Sequence, residues 1–426
     1  MDLQDATSLD ERRWVSPSDR LGDSDGGLTE PIYDAQTHTV TLVVRHSDGS
    51  LDLVPQDSEV DSLVRRELVL LPGEVGASAS LPELLDEVAG FVHTYVDLDP
   101  QHERVAAAYV LMTWVYDAFS AVPYLHALGP IGTGKTRFLL TVGSLCYRAI
   151  LAGGAVSPAA IFRAVDRYSG TLIIDESDFK LAGIWAEILK ILNSGYHRGL
   201  PALRAEPGGG VRAYTVFGPK ILASRCRFPD EALESRCITV RLHTTGREDV
   251  PLLLPDRFWQ QALALRNRLV RFRLDNLATI EAPAVHVERG CEPRVSQILG
   301  ALQPFLGDDG LLSELRAEMQ NSLADVRSDG VAADIAALLI QKRGELPLKD
   351  IASNLRKRGQ DLTEKGIGCV LRNDLGLGHY VRHKRNGAVV LPLPEELLED
   401  LAVRYGFDAS TDKPARRLWL LRRKEA

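Results

Sequence analysis

Tyr124-Leu125-His126-Ala127-Leu128-Gly129-Pro130-Ile131-Gly132-Thr133-Gly134-Lys135-Thr136 decides the fold of this 426-residue chain. Five residues of strand character run into a glycine-dense turn, and Arg137-Phe138-Leu139-Leu140-Thr141-Val142 continue as a helix. Gly129 to Thr136 fits the spacing G-x-x-x-x-G-K-[ST] of a loop that cradles the phosphates of a nucleoside triphosphate. A triphosphate carries several negative charges, and such a loop answers with inward-pointing backbone N–H groups and the positive end of a helix. Glycines let the backbone close around the phosphates without Cβ clashes. Lys135 is expected to reach the β- and γ-phosphates, and the Thr136 hydroxyl to ligate Mg2+. The expected nucleotide contacts are therefore Gly129, Pro130, Ile131, Gly132, Thr133, Gly134, Lys135 and Thr136, with Arg137 in the first helical turn. The implied ligands are ATP and Mg2+.

Downstream, Thr171-Leu172-Ile173-Ile174-Asp175-Glu176 reads as a buried strand ending in two carboxylates. At the C-terminal end of a neighbouring parallel strand the pair would face the phosphate loop, where ligands of open α/β sheets bind. Asp175 is expected to hold Mg2+ through water, and Glu176 to polarise the water that attacks the γ-phosphate. An acid in both positions argues for hydrolysis beyond nucleotide binding. A further strand, Pro219-Lys220-Ile221-Leu222-Ala223-Ser224, ends in a small polar residue placed to contact that water or the γ-phosphate. Candidate strands at 124–128, 149–152, 171–175, 219–224 and 237–242 alternate with helical segments, which predicts an α/β fold with a parallel sheet flanked by helices.

This order of motifs resembles AAA+ ATPases. More narrowly, several segments are similar to the helicase-type ATPases encoded beside or fused to primases in phages, plasmids and integrated elements. The segments are Thr113–Phe119, Val122–Leu125, Asp175–Asp178, Leu192–Gly199 and Pro219–Arg236, and the resemblance covers about residues 80–305. It implies a helical lid and a homo-oligomer, usually a hexamer. It makes Ser224 the sensor 1 residue. Arg236, just before the strand Cys237-Ile238-Thr239-Val240, becomes the arginine that reaches the γ-phosphate of a neighbouring subunit. Arg225 and Arg227 compete for that role, and a plain surface salt bridge is the alternative. Arg294, opening a helix, is the candidate lid arginine (sensor 2); a solvated first-turn arginine is the alternative. Superfamily 3 helicases, a related group, carry a basic hairpin before the sensor strand. Here 202–206 and 211–216 form such a hairpin pattern, with Arg204 and Arg212 as candidate DNA contacts, but its tip, Pro207-Gly208-Gly209-Gly210, has no lysine or histidine. A primase module is not evident, so any priming would come from a separate partner.

Residues 331–393 have the spacing of a winged helix: helices near 332–341, 348–358 and 363–371, then strands near 380–383 and 388–391 joined through Arg385-Asn386-Gly387. In a DNA-binding version the third helix enters the major groove. Lys365 and Arg372 would serve there, with Arg382, Lys384 and Arg385 on phosphates. A protein-docking winged helix is the alternative.

Charge supports a local DNA site. The net charge is −8, yet residues 1–100 hold 21 acids against 6 bases, whereas residues 340–390 hold 11 bases against 5 acids. The hydrophobic fraction of 45% and charged fraction of 25% are those of a soluble globular protein. With no run of about 18 apolar residues and an acidic start, the expectation is a cytoplasmic protein without membrane contact. The five cysteines show no metal-binding or disulfide spacing.

The expected organisation is a disordered acidic tail (1–35), a small β element (36–78), a helical segment (79–121), the ATPase core (122–246), a lid (247–328), a winged helix (329–396) and a C-terminal helix with a basic tail (397–426). The leading expectation is an ATP-hydrolysing motor acting on DNA. An ATP-dependent switch or scaffold that unwinds nothing is the alternative. A small-molecule kinase fits poorly, since it would leave Arg236, the lid and the basic module without work.

Overall fold

The computed structural model describes residues 27–407 apart from 57–58, 154–155, 176–181, 207–209, 282–291, 308, 329, 358–359 and 385–386. Glu176 and Arg385 lie outside the described residues. Those described cluster into two compact units: residues up to 227 with 236–281 and 296–315 in one, and 228–235, 292–295 and 316 onward in the other.

The first unit opens with an antiparallel sheet of β1 (Leu28–Asp34), β2 (Thr39–Arg45) and β3 (Leu51–Pro55). An Asp-Gly turn joins β2 to β3, with Gly49 at φ 88°. β1 was expected to belong to a disordered tail, and Glu30 explains the difference. Its carboxylate is buried, receives Tyr147 Oη at 2.9 Å and Arg148 Nη2 at 2.9 Å, and is bonded by Arg273 Nε. The Arg273 guanidinium, fully buried, also forks onto both Asp117 oxygens at 2.8 Å. An acidic residue that reads as solvated tail is thus part of a buried ion network. Burial alone would raise the Glu30 carboxyl, but Arg273 and Arg148 more than offset this and hold it below its ordinary value.

The central sheet contains β4 (Val69–Leu70), β5 (Tyr124–Leu128), β6 (Ala149–Ala152), β7 (Leu172–Ile174), β10 (Lys220–Ser224) and β11 (Cys237–Arg241). Between β7 and β10 in the chain, β8 (Ala202–Ala205) and β9 (Val211–Tyr214) form a separate two-stranded hairpin. The spatial order is β11-β5-β10-β7-β6-β4. Five of these strands are parallel and lie within one residue of the expected bounds; β4 is an antiparallel edge that the sequence reading missed. The order also corrects one expectation. The strand carrying Asp175 does not neighbour β5, because β10 is inserted between them.

The helix Pro100–Trp114 lies against this sheet's core, capped by the Asp99 carboxylate on His102 N–H at 2.9 Å, and every residue from Val105 to Trp114 is buried. The preceding helix, Leu81–Tyr95, starts on a capping box between Ser80 and Glu83. Lys220, fully buried at the start of β10, donates to the carbonyls of Gly195, Val216 and Gly218 at 2.9–3.1 Å, which ties down both ends of the β8–β9 segment. The region expected to be helical contains the helices Asp256–Asn276, Pro293–Leu299, Gln303–Leu306 and Asp309–Ser328.

The second unit includes the helices Val331–Lys342, Leu348–Lys357 and Glu364–Asn373, with Thr363 capping the third through Gly366 N–H at 3.2 Å. β13 (Val381–Lys384) and β14 (Gly387–Val390) pair antiparallel, and β12 (Leu346–Pro347) adds a third strand on the other edge of β14. Buried residues including Ile335, Leu339, Ile351, Leu355, Ile367, Leu371 and Val390 make one core. Among the described residues no helix is long and apolar enough to cross a membrane. Cys146 and Cys237 are buried, whereas Cys226 and Cys369 are exposed.

Candidate nucleotide site

β5 delivers the chain to Gly129, and the loop closes by local rules. Gly132 and Gly134 take φ of 84° and 85°, a left-handed conformation that side chains with a Cβ rarely adopt. At Gly129 the constraint is space: a Cβ would stand 2.5 Å from Thr133 Oγ1 and 2.8 Å from the Leu242 carbonyl. Gly134 then starts the helix Lys135–Gly143 without any side-chain cap, so the first-turn N–H groups remain directed at the loop. The Lys135 ammonium lies over the loop, donating to the Gly129 and Pro130 carbonyls at 2.7 Å each. Thr133 Oγ1 donates to the Pro130 carbonyl at 2.9 Å, and Ile131 is 76% exposed at the tip.

The structure brings Thr136 and Asp175 together despite the intervening strand. Thr136 Oγ1 donates to Asp175 Oδ2 at 2.7 Å. A hydroxyl beside a carboxylate at the foot of a phosphate loop is an oxygen donor set suited to Mg2+. With a cradle that a Cβ would fill, these residues fit a Mg2+-bound triphosphate. Among the described residues, no group of three or more His, Cys, Asp or Glu side chains forms a separate metal centre.

Ser224, at the end of β10, touches the loop through its backbone: its carbonyl accepts Gly129 N–H at 3.2 Å. Its side chain is buried and hydrogen-bonded to His126 and to the Cys226 carbonyl. Arg225 is exposed directly after it. Arg137 directs its guanidinium away from the loop, at the Pro251 carbonyl (2.8 Å) and the Leu252 carbonyl (2.7 Å), and so holds that segment beside the helix. Arg236 stands at the start of β11, the opposite end of the sheet from the loop. It is 5% exposed, with its guanidinium 4.3 Å from the Tyr196 ring centroid. Arg294 belongs to the second unit and donates to Ser235 Oγ at 2.8 Å.

Arg204 and Arg212 oppose each other directly across the β8–β9 hairpin. Arg204 lies over the Phe162 ring at 4.9 Å and 3.7 Å from Glu187, and Arg212 lies over the Tyr214 ring at 5.0 Å. In the second unit Lys365, Arg372, Arg382 and Lys384 are exposed, and Lys384 pairs with Glu345 at 2.6 Å. Sequence reasoning missed His126 and the Pro251–Leu252 segment. A lone polar ring in an otherwise apolar strand was the available signal for the first; no local pattern marked the second.

No protein-family model matches the chain, and no curated protein matches it in sequence. Among solved structures it is similar to the active helicase SCCmec type IV Cch (TM-score 0.40, 11% identity, covering 88% of this chain and 94% of that one). It is also similar to the C-terminal region of NrS-1 (TM-score 0.36, 11% identity, 86% and 96% covered). A full-length MCM homologue from Methanopyrus kandleri matches with TM-score 0.34 and 12% identity over 68% of this chain and 69% of that one. Likenesses this remote establish nothing about the chemistry of this chain, which rests on its own residues.

Proposed function

We propose that the chain is an ATP-hydrolysing motor of the AAA+ type that acts on DNA, in helicase or replication-initiation work of the phage or mobile-element kind. The observation that carries the reading is the Thr136–Asp175 hydrogen bond at 2.7 Å, which sets a metal-binding hydroxyl and carboxylate beside a lysine already folded over the phosphate loop. Lys135 neutralises the β- and γ-phosphates, and the loop and the helix N-terminus hold them in place. Thr136 and Asp175 would hold Mg2+, which would supply positive charge against the phosphates. Glu176, next to Asp175, orients and polarises the attacking water. Ser224, whose carbonyl accepts Gly129 N–H, serves as the sensor 1 residue, and the chain works as a homo-oligomer such as a hexamer.

Residues 329–396 are a winged helix, a reading supported by the helices Val331–Lys342, Leu348–Lys357 and Glu364–Asn373, the β13–β14 hairpin and the excess of bases. Lys365 and Arg372 of the third helix read the groove, and Arg382, Lys384 and Arg385 hold phosphates. A separate primase would supply any priming.

The placement of Arg204 and Arg212 over aromatic rings favours a second reading, an ATP-dependent switch or scaffold in a defence or mobile-element complex that unwinds nothing.

Glu176→Gln tests the hydrolytic assignment. The variant should bind an ATP analogue within about threefold of the parent and lose on the order of 10²-fold in kcat, the scale of a lost general base. Loss of binding in place of turnover would refute the role given to Glu176.

A further inference from the structure

His126 is fully buried in the middle of β5, the strand that runs into the phosphate loop, and it is flanked by β10 and β11. Its ring spans three strands: Nε2 is 2.6 Å from Ser224 Oγ, and Nδ1 is 3.3 Å from Thr239 Oγ1. The proton positions follow from what each atom can do. The Cys226 carbonyl can only accept, so it takes the single Ser224 hydroxyl proton. Ser224 Oγ must then accept from His126, which requires the proton on Nε2. Burial, with Arg227 adding to it, pushes the imidazole down to about 3, so the ring is neutral and Nδ1 is left as an acceptor for the Thr239 hydroxyl. One tautomer satisfies the whole chain from Thr239 through His126 and Ser224 to Cys226.

That chain ends inside the turn that follows β10, and Ser224, the last residue of the strand, touches the phosphate loop. Ser224 is fastened twice: its backbone carbonyl accepts Gly129 N–H, and its side chain is held by His126. We propose that His126 is a positioning residue which, through Ser224, fixes the Ser224–Arg227 turn against the phosphate loop. The turn carries the exposed Arg225, one residue after the Ser224 carbonyl that binds Gly129, so a small rotation of Ser224 moves that cation relative to the loop. The inference rests on the reading of this loop as a hydrolytic site. A ring that merely fills core space would be replaced equally well by phenylalanine, and this separates the two roles.

The test compares His126→Phe with His126→Gln in the full-length chain. Gln can return an N–H near the place of Nε2, whereas Phe fills the volume with no donor. His126→Phe is expected to keep the melting temperature and the affinity for a non-hydrolysable ATP analogue within about threefold, while kcat falls about tenfold or more. His126→Gln should recover most of that loss. Equal kcat in parent and Phe variant would overturn the proposal, as would equal losses in the Phe and Gln variants. A fall in affinity, kcat and melting temperature together for Phe would assign His126 to packing alone. Nitrogen-15 NMR of the imidazole gives a readout without turnover and without a variant that must fold. A proton on Nε2 is expected, and a proton on Nδ1 would break the relay. Absence of ATPase activity in the parent chain would refute the functional reading itself, while the tautomer would still decide whether the relay exists.

Discussion

Lys135→Ala is expected to lower ATP turnover by on the order of 10²–10³-fold, with the loss shared between weakened binding and slower chemistry. The ammonium sits over the loop carbonyls of Gly129 and Pro130 at 2.7 Å. Alanine leaves those carbonyls to solvent but removes the charge facing the phosphates. Because Lys135 is only partly buried, the melting temperature should stay within a few degrees of the parent. Radiolabelled ATP hydrolysis and equilibrium binding of an ATP analogue measure both parts. Turnover within threefold of the parent would refute the loop assignment.

The largest stability effect is expected at Arg273. This guanidinium is fully buried and holds the carboxylates of Glu30 and Asp117 together with the Trp114 carbonyl. Arg273→Leu takes the shared cation from two buried acids, leaving Glu30 to Arg148 and Tyr147, a change that costs about 3 kcal/mol or more. In a unit of this size that corresponds to a fall of roughly 10 °C in Tm, taking about 2–4 °C per kcal/mol. The pH dependence identifies the cause. Glu30 has its folded pKa depressed below the ordinary 4.5, so its contribution is present above 4.5 and is lost as pH falls through the lowered value. In the variant the two carboxylates, short of one buried cation, gain from protonation. The stability gap between parent and variant should therefore be widest near neutral pH and narrow as pH drops through the carboxylate range. A gap independent of pH would mean that lost packing, not stranded charge, explains the variant.

The parts legible in the sequence are those set by local rules. The phosphate loop is dictated by glycine spacing, and the five parallel strands by apolar runs between turn signals. Thr363 could be read as a cap because its hydroxyl serves an N–H three residues away. What escaped depends on contacts between distant segments. Glu30 looks like tail charge until Arg273, 243 positions along the chain, covers it. The insertion of β10 between β5 and β7 is a matter of sheet order, which no single segment encodes. Arg236 and Ser224 are singled out by chain position alone. Their surroundings, an aromatic ring over one and a buried histidine against the other, come from segments that meet only on folding.

The measurement that tests the central reading most directly is steady-state ATP hydrolysis by the full-length chain with and without DNA, run beside displacement of a labelled strand. The account predicts hydrolysis that requires Lys135, rises several-fold with DNA and drives strand displacement. Hydrolysis that DNA leaves unchanged, with no strand displaced, would contradict the motor reading and leave an ATP-dependent switch in its place.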